Sequence, residues 1–558
     1  MKIVFYSVAG LLLLCGLNLD HFPPWTSFHA EAPAFLASAL LLGAAAIHKP
    51  RIPAAVWLLL ALALSAWLQW MLGHVIYLGD AVVASIYLLT FAIAWLWGYA
   101  VTRRGEGEPI LLALCGVLVA MGLVASFQVL AQWLEVAAYW PDWVFDSGSD
   151  RRGRGNFGQA NQTATLLLMA VASTGLLWTR RRIGPLSAYL LLFLLGLAIV
   201  LTQSRAGLLS ATILALGVLI LAWTRRVPWQ RGRDASVWLI GLYAASWSLQ
   251  YWDGLFGRAG IGLHNMMDAG LRPLMWRQLF AALMDSPWFG YGWLQIATAQ
   301  QAGALHVPGV EQINYSHNAI VDLYVVLGIP LASLVLGLCC YGVIRRIRSW
   351  QGGALPALGG LFVVIPFLVH AQLELPHAYA YFLLPVGIIL GILDGSTEPA
   401  QPRGIALTDP WLGRGLVVLW LGLLSAVAHE YMLAEEDFRI NRFENRRLGV
   451  TPDDYHPPEF TLLTQLEDML KAMRLRAQPG MSAQDLDTLV RAARRYTWAP
   501  LEFRTALALA LNDRPGDAER HLQILKTMFR RDIYDESRES WLLMQHGQYP
   551  QLAAVRLP

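Results

Sequence analysis

The chain opens as a long succession of apolar stretches separated by short polar interruptions, and it changes character near Glu430. A helix needs about 20 apolar residues to span a bilayer, and about thirteen runs approach that length before the change. They centre near Leu12, Leu40, Leu62, Leu88, Leu118, Leu168, Leu194, Leu214, Leu242, Val335, Val363, Val386 and Leu421. Beyond Glu430 the chain is charged, its apolar positions recur at helical spacing, and breaks fall at Pro457, Pro479, Gly480, Pro500, Pro515 and Gly516. The pattern predicts an all-α polytopic membrane protein of about 13 transmembrane helices over residues 1–429, with a large loop at 251–316, followed by a soluble helical domain at 430–558. Asp485–Tyr496, Leu501–Leu511 and Asp517–Phe529 read as helical hairpins of the tetratricopeptide kind or as an irregular bundle, since the copies are too few to set a period.

Charge orients the spans. With the N-terminus cytoplasmic, alternate loops carry the arginine and lysine excess: Lys49 and Arg51, Arg103 and Arg104, Arg180 to Arg182, Arg225, Arg226, Arg231 and Arg233, Arg345, Arg346 and Arg348, and Arg403 with Arg414. The loops around Trp25, Arg154, Arg205, Arg272 and Glu374 then face outside, as does the tail. A cluster of Arg151, Arg152 and Arg154 breaks the alternation. The run from Ile3 to Leu17 follows Lys2 like a signal peptide, but no small-residue cleavage pattern follows it, so it is read as a retained span.

Composition narrows the class. Of 558 residues, 56% are hydrophobic and 15% charged, which suits a bilayer. A net charge of +3 with dispersed arginines gives nucleic-acid binding little support. Cys15, Cys115, Cys339 and Cys340 all sit in apolar runs, so neither a disulfide framework nor a zinc site is expected, and none is expected to be exposed. No phosphate loop, HExxH pair or external carboxylate cluster occurs, which argues against nucleotide or zinc hydrolysis and a divalent metal site.

Arginines on the outer side oppose the charge bias, and an anionic ligand is a common reason for such a placement. Arg205 stands in Thr202-Gln203-Ser204-Arg205-Ala206-Gly207, a very short external connection; a snorkelling arginine is the alternative reading. Arg272 and Trp276 lie one turn apart on an amphipathic helix over 271–280, followed by the aromatic turn Ser286 to Trp293, which could stack on sugars or anchor in headgroups. His317, in Tyr315-Ser316-His317-Asn318, precedes a span; it could be a base whose neutral form the helix dipole favours, or a capping or interfacial histidine. Gln159, Asn161 and Gln162, and the segment containing Gln372, Glu374 and Tyr379, are further polar turns. Several arginines with one histidine and amides at a membrane surface suit a lipid-linked phosphate or pyrophosphate.

In family order, Pro24-Trp25 and Glu31, Gly155 to Gln162, Thr202 to Gly207, Arg272 with Trp276, the Pro287 to Gly292 turn, His317-Asn318 and Gln372 to Pro385 resemble the O-antigen ligase and Wzy polymerase superfamily. The similarity is greatest to its protein O-oligosaccharyltransferase branch, the PglL type that glycosylates pilin. That resemblance implies a GT-C-like inner-membrane enzyme with a periplasmic tail. It would move a preassembled glycan from undecaprenyl pyrophosphate to Ser or Thr of a periplasmic, pilin-like acceptor, without nucleotide, metal or other cofactor. On the same resemblance Arg205 and Arg272 would hold the pyrophosphate, His317 would activate the acceptor hydroxyl or assist sugar transfer, and Gln159 and Tyr379 would position donor or acceptor. Asn161, Gln162, Trp276, Gln372 and Glu374 would complete the substrate contacts. This chain has Glu374-Leu375-Pro376 where Glu-Tyr-Pro is expected, so a tyrosine role there passes to Tyr379 or lapses. A ligase acting on lipid A core, or an O-antigen polymerase, is the nearest alternative. A lipid-linked-sugar flippase or other transporter is the alternative of a different class, and it should show charged or broken helices at mid-membrane.

Overall fold

Each of the thirteen apolar runs forms a helix in the computed structural model, which describes all residues except 1, 49, 147–151, 256–270, 310–311, 350–354 and 398–408. Lys49, Arg151, Arg403 and parts of the 251–316 loop therefore lie outside the described residues. The helices are α1 (Lys2–Leu17), α2 (Phe28–His48), α3 (Ala54–Met71), α4 (Leu78–Arg103), α5 (Gly107–Trp133), α6 (Ala160–Thr179), α7 (Pro185–Thr202), α8 (Arg205–Trp223), α9 (Trp229–Leu255) and α10 (Arg272–Asp285). They continue as α11 (Ile296–His306), α12 (Ala319–Ser349), α13 (Leu355–His370), α14 (Ala380–Thr397), α15 (Pro410–Asn445), α16 (Thr464–Arg474), α17 (Ala483–Tyr496), α18 (Ala499–Leu511), α19 (Pro515–Met528) and α20 (Arg531–His546). Among the described residues, ten helices are long and apolar enough to cross a membrane, while α1 and α13 are shorter apolar helices. The helix α9 forms over the predicted run but is in neither group.

Two units divide the chain, the first made of residues 1–60, 87–268 and 340–424. Within it α6 packs against α5, α7, α8 and α13. A glycine ladder draws α14 onto α4: a Cβ at Gly391 would fall 2.0 Å from the Trp95 carbonyl oxygen, and one at Gly98 would fall 2.2 Å from that of Ile388. Only small residues allow such backbone approach between apolar helices, where lipid supplies no hydrophobic contrast to drive association. Beside the ladder, Asp394 accepts from Trp95 Nε1 at 3.0 Å and pairs with Arg346.

The second unit comprises residues 61–86, 269–339 and 425–558. Here α11 packs on α17 and α19, and each helix from α16 to α19 packs on the next. The predicted tail segments are realised as α17, α18 and α19 within one or two residues. The Gln301 side-chain amide of α11 donates to the Ala493 carbonyl at 2.8 Å, to Thr497 Oγ1 at 2.8 Å and to Glu502 Oε1 at 3.0 Å.

Two expectations need correction. Cys339 and Cys340 are exposed on α12, beside outward-facing Leu338 and Tyr341, because that part of the helix presents its apolar side chains outward; Cys15 and Cys115 are buried. The span starting near Ala319 is also not continuous: α12 breaks at Gly328 (φ 75°, ψ 171°), two residues before Pro330, which lacks the N–H a helix needs.

Candidate functional site

In the first unit, the site is built at helix ends. The helix α7 stops where Gln203 turns left-handed (φ 49°), and Ser204 then caps α8 by accepting from Gly207 N–H at 3.0 Å. This compact turn makes Arg205 the first residue of α8 and leaves it exposed. A cation there opposes the helix dipole, while the first-turn N–H groups beside it favour an anion. Ser204 Oγ also donates to Asn161 Oδ1 at 2.7 Å, and Asn161 Nδ2 donates to Glu374 Oε1 at 3.1 Å. The N-terminal ends of α6 and α8 and the turn after α13 are thus joined through three side chains.

Arg152 extends this cluster. Its Nε approaches the Thr202 carbonyl at 3.4 Å and its Nη2 the Gln203 carbonyl at 3.5 Å. Burial and the neighbouring positive charge of Arg205 lower its pKa, opposed by the carboxylate of Glu374. Arg152 thus lies within the electrostatic reach of both the Arg205 guanidinium and the Glu374 carboxylate.

Two buried glutamines of α5, one turn apart, hold the loop that carries Arg152. Gln132 Oε1 accepts from the N–H groups of Arg154 and Gly155, both at 2.9 Å, and its amide donates to the carbonyls of Phe145 at 2.9 Å and Gly155 at 3.1 Å. Gln128 accepts from Asn156 N–H at 3.1 Å and donates to the Gly16 carbonyl at 3.0 Å. Gly158 is left-handed (φ 71°), and a Cβ there would meet His21 at 3.0 Å.

The remaining first-unit candidates line up beside α14. Gln159 Oε1 accepts from Gln162 Nε2 at 2.7 Å, and Gln162 Oε1 accepts from Tyr381 Oη at 2.6 Å. Tyr379 stacks on Tyr381 with centroids 5.3 Å apart, and burial, with the charge of Glu31, pushes its phenol up to about 12. Glu31 accepts from the Ala380 N–H at 2.7 Å, capping the start of α14, and from Tyr87 Oη at 2.8 Å. Gln372 lies in the turn following α13. At the end of that helix, buried His370 bonds Thr165 through Nδ1 at 2.8 Å.

In the second unit, Arg272 is the first residue of α10, again a cation at a helix start. One turn on, Trp276 Nε1 donates to the Ser316 carbonyl at 2.8 Å. His317 itself is left-handed (φ 59°). Asn318 rather than His317 caps α12: its Oδ1 accepts from Ile320 N–H at 2.9 Å and Val321 N–H at 3.0 Å. Ser316 N–H in turn donates to Asp322 Oδ1 at 2.8 Å, so the turn is bonded on both sides of the histidine.

The aromatic turn has a role the sequence did not disclose. The N–H groups of Tyr291 and Gly292 donate to the carbonyls of Val325 at 2.7 Å and Val326 at 3.1 Å, and Ile329 N–H donates to the Pro287 carbonyl at 2.7 Å. Gln69 Nε2 also donates to the Val326 carbonyl, at 2.9 Å. These bonds satisfy the Val325 and Val326 carbonyls and the Ile329 N–H at the α12 break.

Structure places Gln159, Asn161, Gln162, Arg205, Gln372, Glu374 and Tyr379 in the first unit, and Arg272, Trp276 and His317 in the second. Sequence reasoning did not single out Arg152 as a site residue, although the break in charge alternation marked its cluster. It also passed over Gln128 and Gln132, two amides inside an otherwise apolar span.

Ten helices long and apolar enough to cross a membrane, among the described residues, define a multi-pass membrane protein. Residues 190–336 match the O-antigen ligase family, and residues 358–542 match the family described as virulence factor membrane-bound polymerase, C-terminal. The chain is thus similar to the O-antigen ligase family over residues 190–336. It is 25% identical to a general O-oligosaccharyltransferase of Acinetobacter baylyi over 94% of this chain and 92% of the relative. A ComP-specific O-oligosaccharyltransferase from the same organism is also 25% identical, over 64% of this chain and 65% of the relative.

Proposed function

We propose that the protein is an O-oligosaccharyltransferase of the bacterial inner membrane, moving a preassembled glycan from undecaprenyl pyrophosphate to a Ser or Thr hydroxyl of a periplasmic acceptor protein such as pilin. The observation that carries this reading is Arg205 at the start of α8, with Arg152 in the same electrostatic field and Glu374 fixing the intervening amide. The near full-length similarity to a general O-oligosaccharyltransferase supports the same chemistry.

In this mechanism the acceptor oxygen attacks the anomeric carbon, the bond from that carbon to the pyrophosphate oxygen breaks, and the pyrophosphate leaves with the bonding pair. Arginines stabilise the charge that develops on the leaving group, a role we assign to Arg205, Arg152 and Arg272. His317, held in a turn bonded on both sides, takes the hydroxyl proton or orients the hydroxyl. Asn161, Gln159, Gln162, Gln372, Glu374, Tyr379 and Trp276 position the substrates. The helical tail, tetratricopeptide-like in its consecutive helices, recruits the acceptor.

Full-length protein reconstituted with a lipid-pyrophosphate glycan and offered either pilin or lipid A core tests the reading. Glycosylated pilin is expected, lost in His317→Ala and Arg205→Ala proteins that still insert and accumulate. Glycan appearing only on lipid A core would identify a lipid ligase, and glycan extended on the carrier lipid would identify a polymerase.

A further inference from the structure

A cavity lined in part by arginines lies at the far end of α8. Its 19 residues place Trp223 roughly 27 Å from Arg205 at 1.5 Å per residue. There the cavity, of about 720 Å³, opens among α6, α7, α8, α9 and α13. Leu176, Phe193, Val218 and Phe362 contribute apolar wall, while Arg180, Arg231 and Arg233 stand among the polar lining residues.

Two of these arginines already have carboxylate partners. Arg180 pairs with Glu108 at 3.3 Å, and Arg233 pairs with Asp234 at 3.2 Å. Asp234 also accepts from Tyr189 Oη at 3.0 Å. Arg231 forms no such ion pair, although the Asp234 carboxylate acts on it at longer range: its guanidinium lies 3.0 Å from the Trp178 ring centroid, and its buried Nη1, like Nη2 of Arg180, has no hydrogen-bond partner among the described residues. A stacked guanidinium retains its in-plane donors, and a buried donor without an acceptor is costly unless a ligand supplies one.

We propose that this cavity binds an anionic phospholipid, its phosphate received by Arg231 and its proximal acyl carbons by the apolar wall. The wall favours a lipid over free phosphate, because an inorganic ion would leave that surface unfilled. Phe193 and Leu190 continue outward from α7 as exposed apolar side chains, a path for the acyl chains. The arginine-rich connections after α6 and α8 are those that the charge bias assigns to the cytoplasmic side, where basic pockets between helices receive acidic headgroups.

Delipidated full-length protein in detergent, incubated with phosphatidylglycerol or with phosphatidylethanolamine of matched chains, tests the proposal by native mass spectrometry and thermal unfolding. Phosphatidylglycerol should be retained about fivefold better, as about 1 kcal/mol per arginine implies, and Arg231→Gln should remove that preference. Gly175 offers a second variant: a Cβ there meets nothing within 4 Å, and the residue lines the cavity, so Gly175→Leu should occupy the space and lower lipid retention without disturbing the fold. Equal retention of the two lipids, an unchanged preference in Arg231→Gln, or equal protection by inorganic phosphate alone would each overturn it. None of these readouts depends on glycan transfer, so a failure here is distinct from a failure of the proposed function.

Discussion

Trp276 reaches across 2.8 Å to donate its indole N–H to the carbonyl of Ser316, the residue immediately before His317. That bond ties α10 to a turn whose histidine has a left-handed backbone. Non-glycine residues seldom adopt this conformation, and it persists when surrounding bonds over-determine it.

Replacing Trp276 by Phe keeps an aromatic ring but removes the N–H donor together with part of the ring surface. A single hydrogen bond contributes about 1 kcal/mol, so Trp276→Phe should lower glycan transfer by about fivefold while accumulation in the membrane stays normal. Initial rates with a reconstituted lipid-pyrophosphate donor measure this. Unchanged rates would uncouple Trp276 from the chemistry of the turn.

Arg205 and Arg152 lend themselves to a charge-conserving test. Arg205→Lys and Arg152→Lys each retain a positive charge but lose the planar fork that can grip two oxygens at once. Both variants should transfer glycan less well by roughly tenfold or more, with the loss concentrated in kcat if the arginines act on the departing pyrophosphate. Wild-type kinetics in both would move the leaving group away from this cluster.

Gln132 is a structural prediction within an apolar helix. Its side chain accepts two backbone N–H groups and donates to two carbonyls, so Gln132→Leu strands four polar groups around the loop carrying Arg152. Each stranded buried group costs about 1–3 kcal/mol, and the variant should unfold at clearly lower temperature in detergent. Gln132→Glu preserves the acceptor oxygen but not the donor and should fall between. A Leu variant as stable as wild type would show that other groups or water satisfy the loop.

Hydropathy made the helices legible because each span must satisfy its own backbone, and a run of apolar side chains is what lipid permits. Arg205 and Arg272 were legible as charges on the wrong side of the bias, and the structure adds that both begin helices. Arg152 was harder to isolate, since its relation to Glu374 joins residues more than two hundred positions apart. The α12 break was missed for a different reason. Gly328 and Pro330 are visible in sequence, but the partners that make a break tolerable come from Pro287, Tyr291 and Gly292, and apolar periodicity carries no trace of that pairing.

That brace yields the last test. Gly328 is left-handed (φ 75°), and a Cβ there would fall 2.6 Å from the Trp288 carbonyl oxygen; at Gly290 (φ 67°) it would fall 2.4 Å from that of Val325. Both positions thus combine a conformation that disfavours a side chain with a backbone contact that leaves no room for one. Gly328→Ala and Gly290→Ala should each destabilise by about 1–3 kcal/mol and loosen the segment around the break. Thermal unfolding measures the cost, and hydrogen exchange at the amides of Tyr291, Gly292 and Ile329 localises it, since those three N–H groups make the bracing bonds. Loss of stability with unchanged protection at these amides would mean that the damage lies elsewhere and that the aromatic turn does not brace α12.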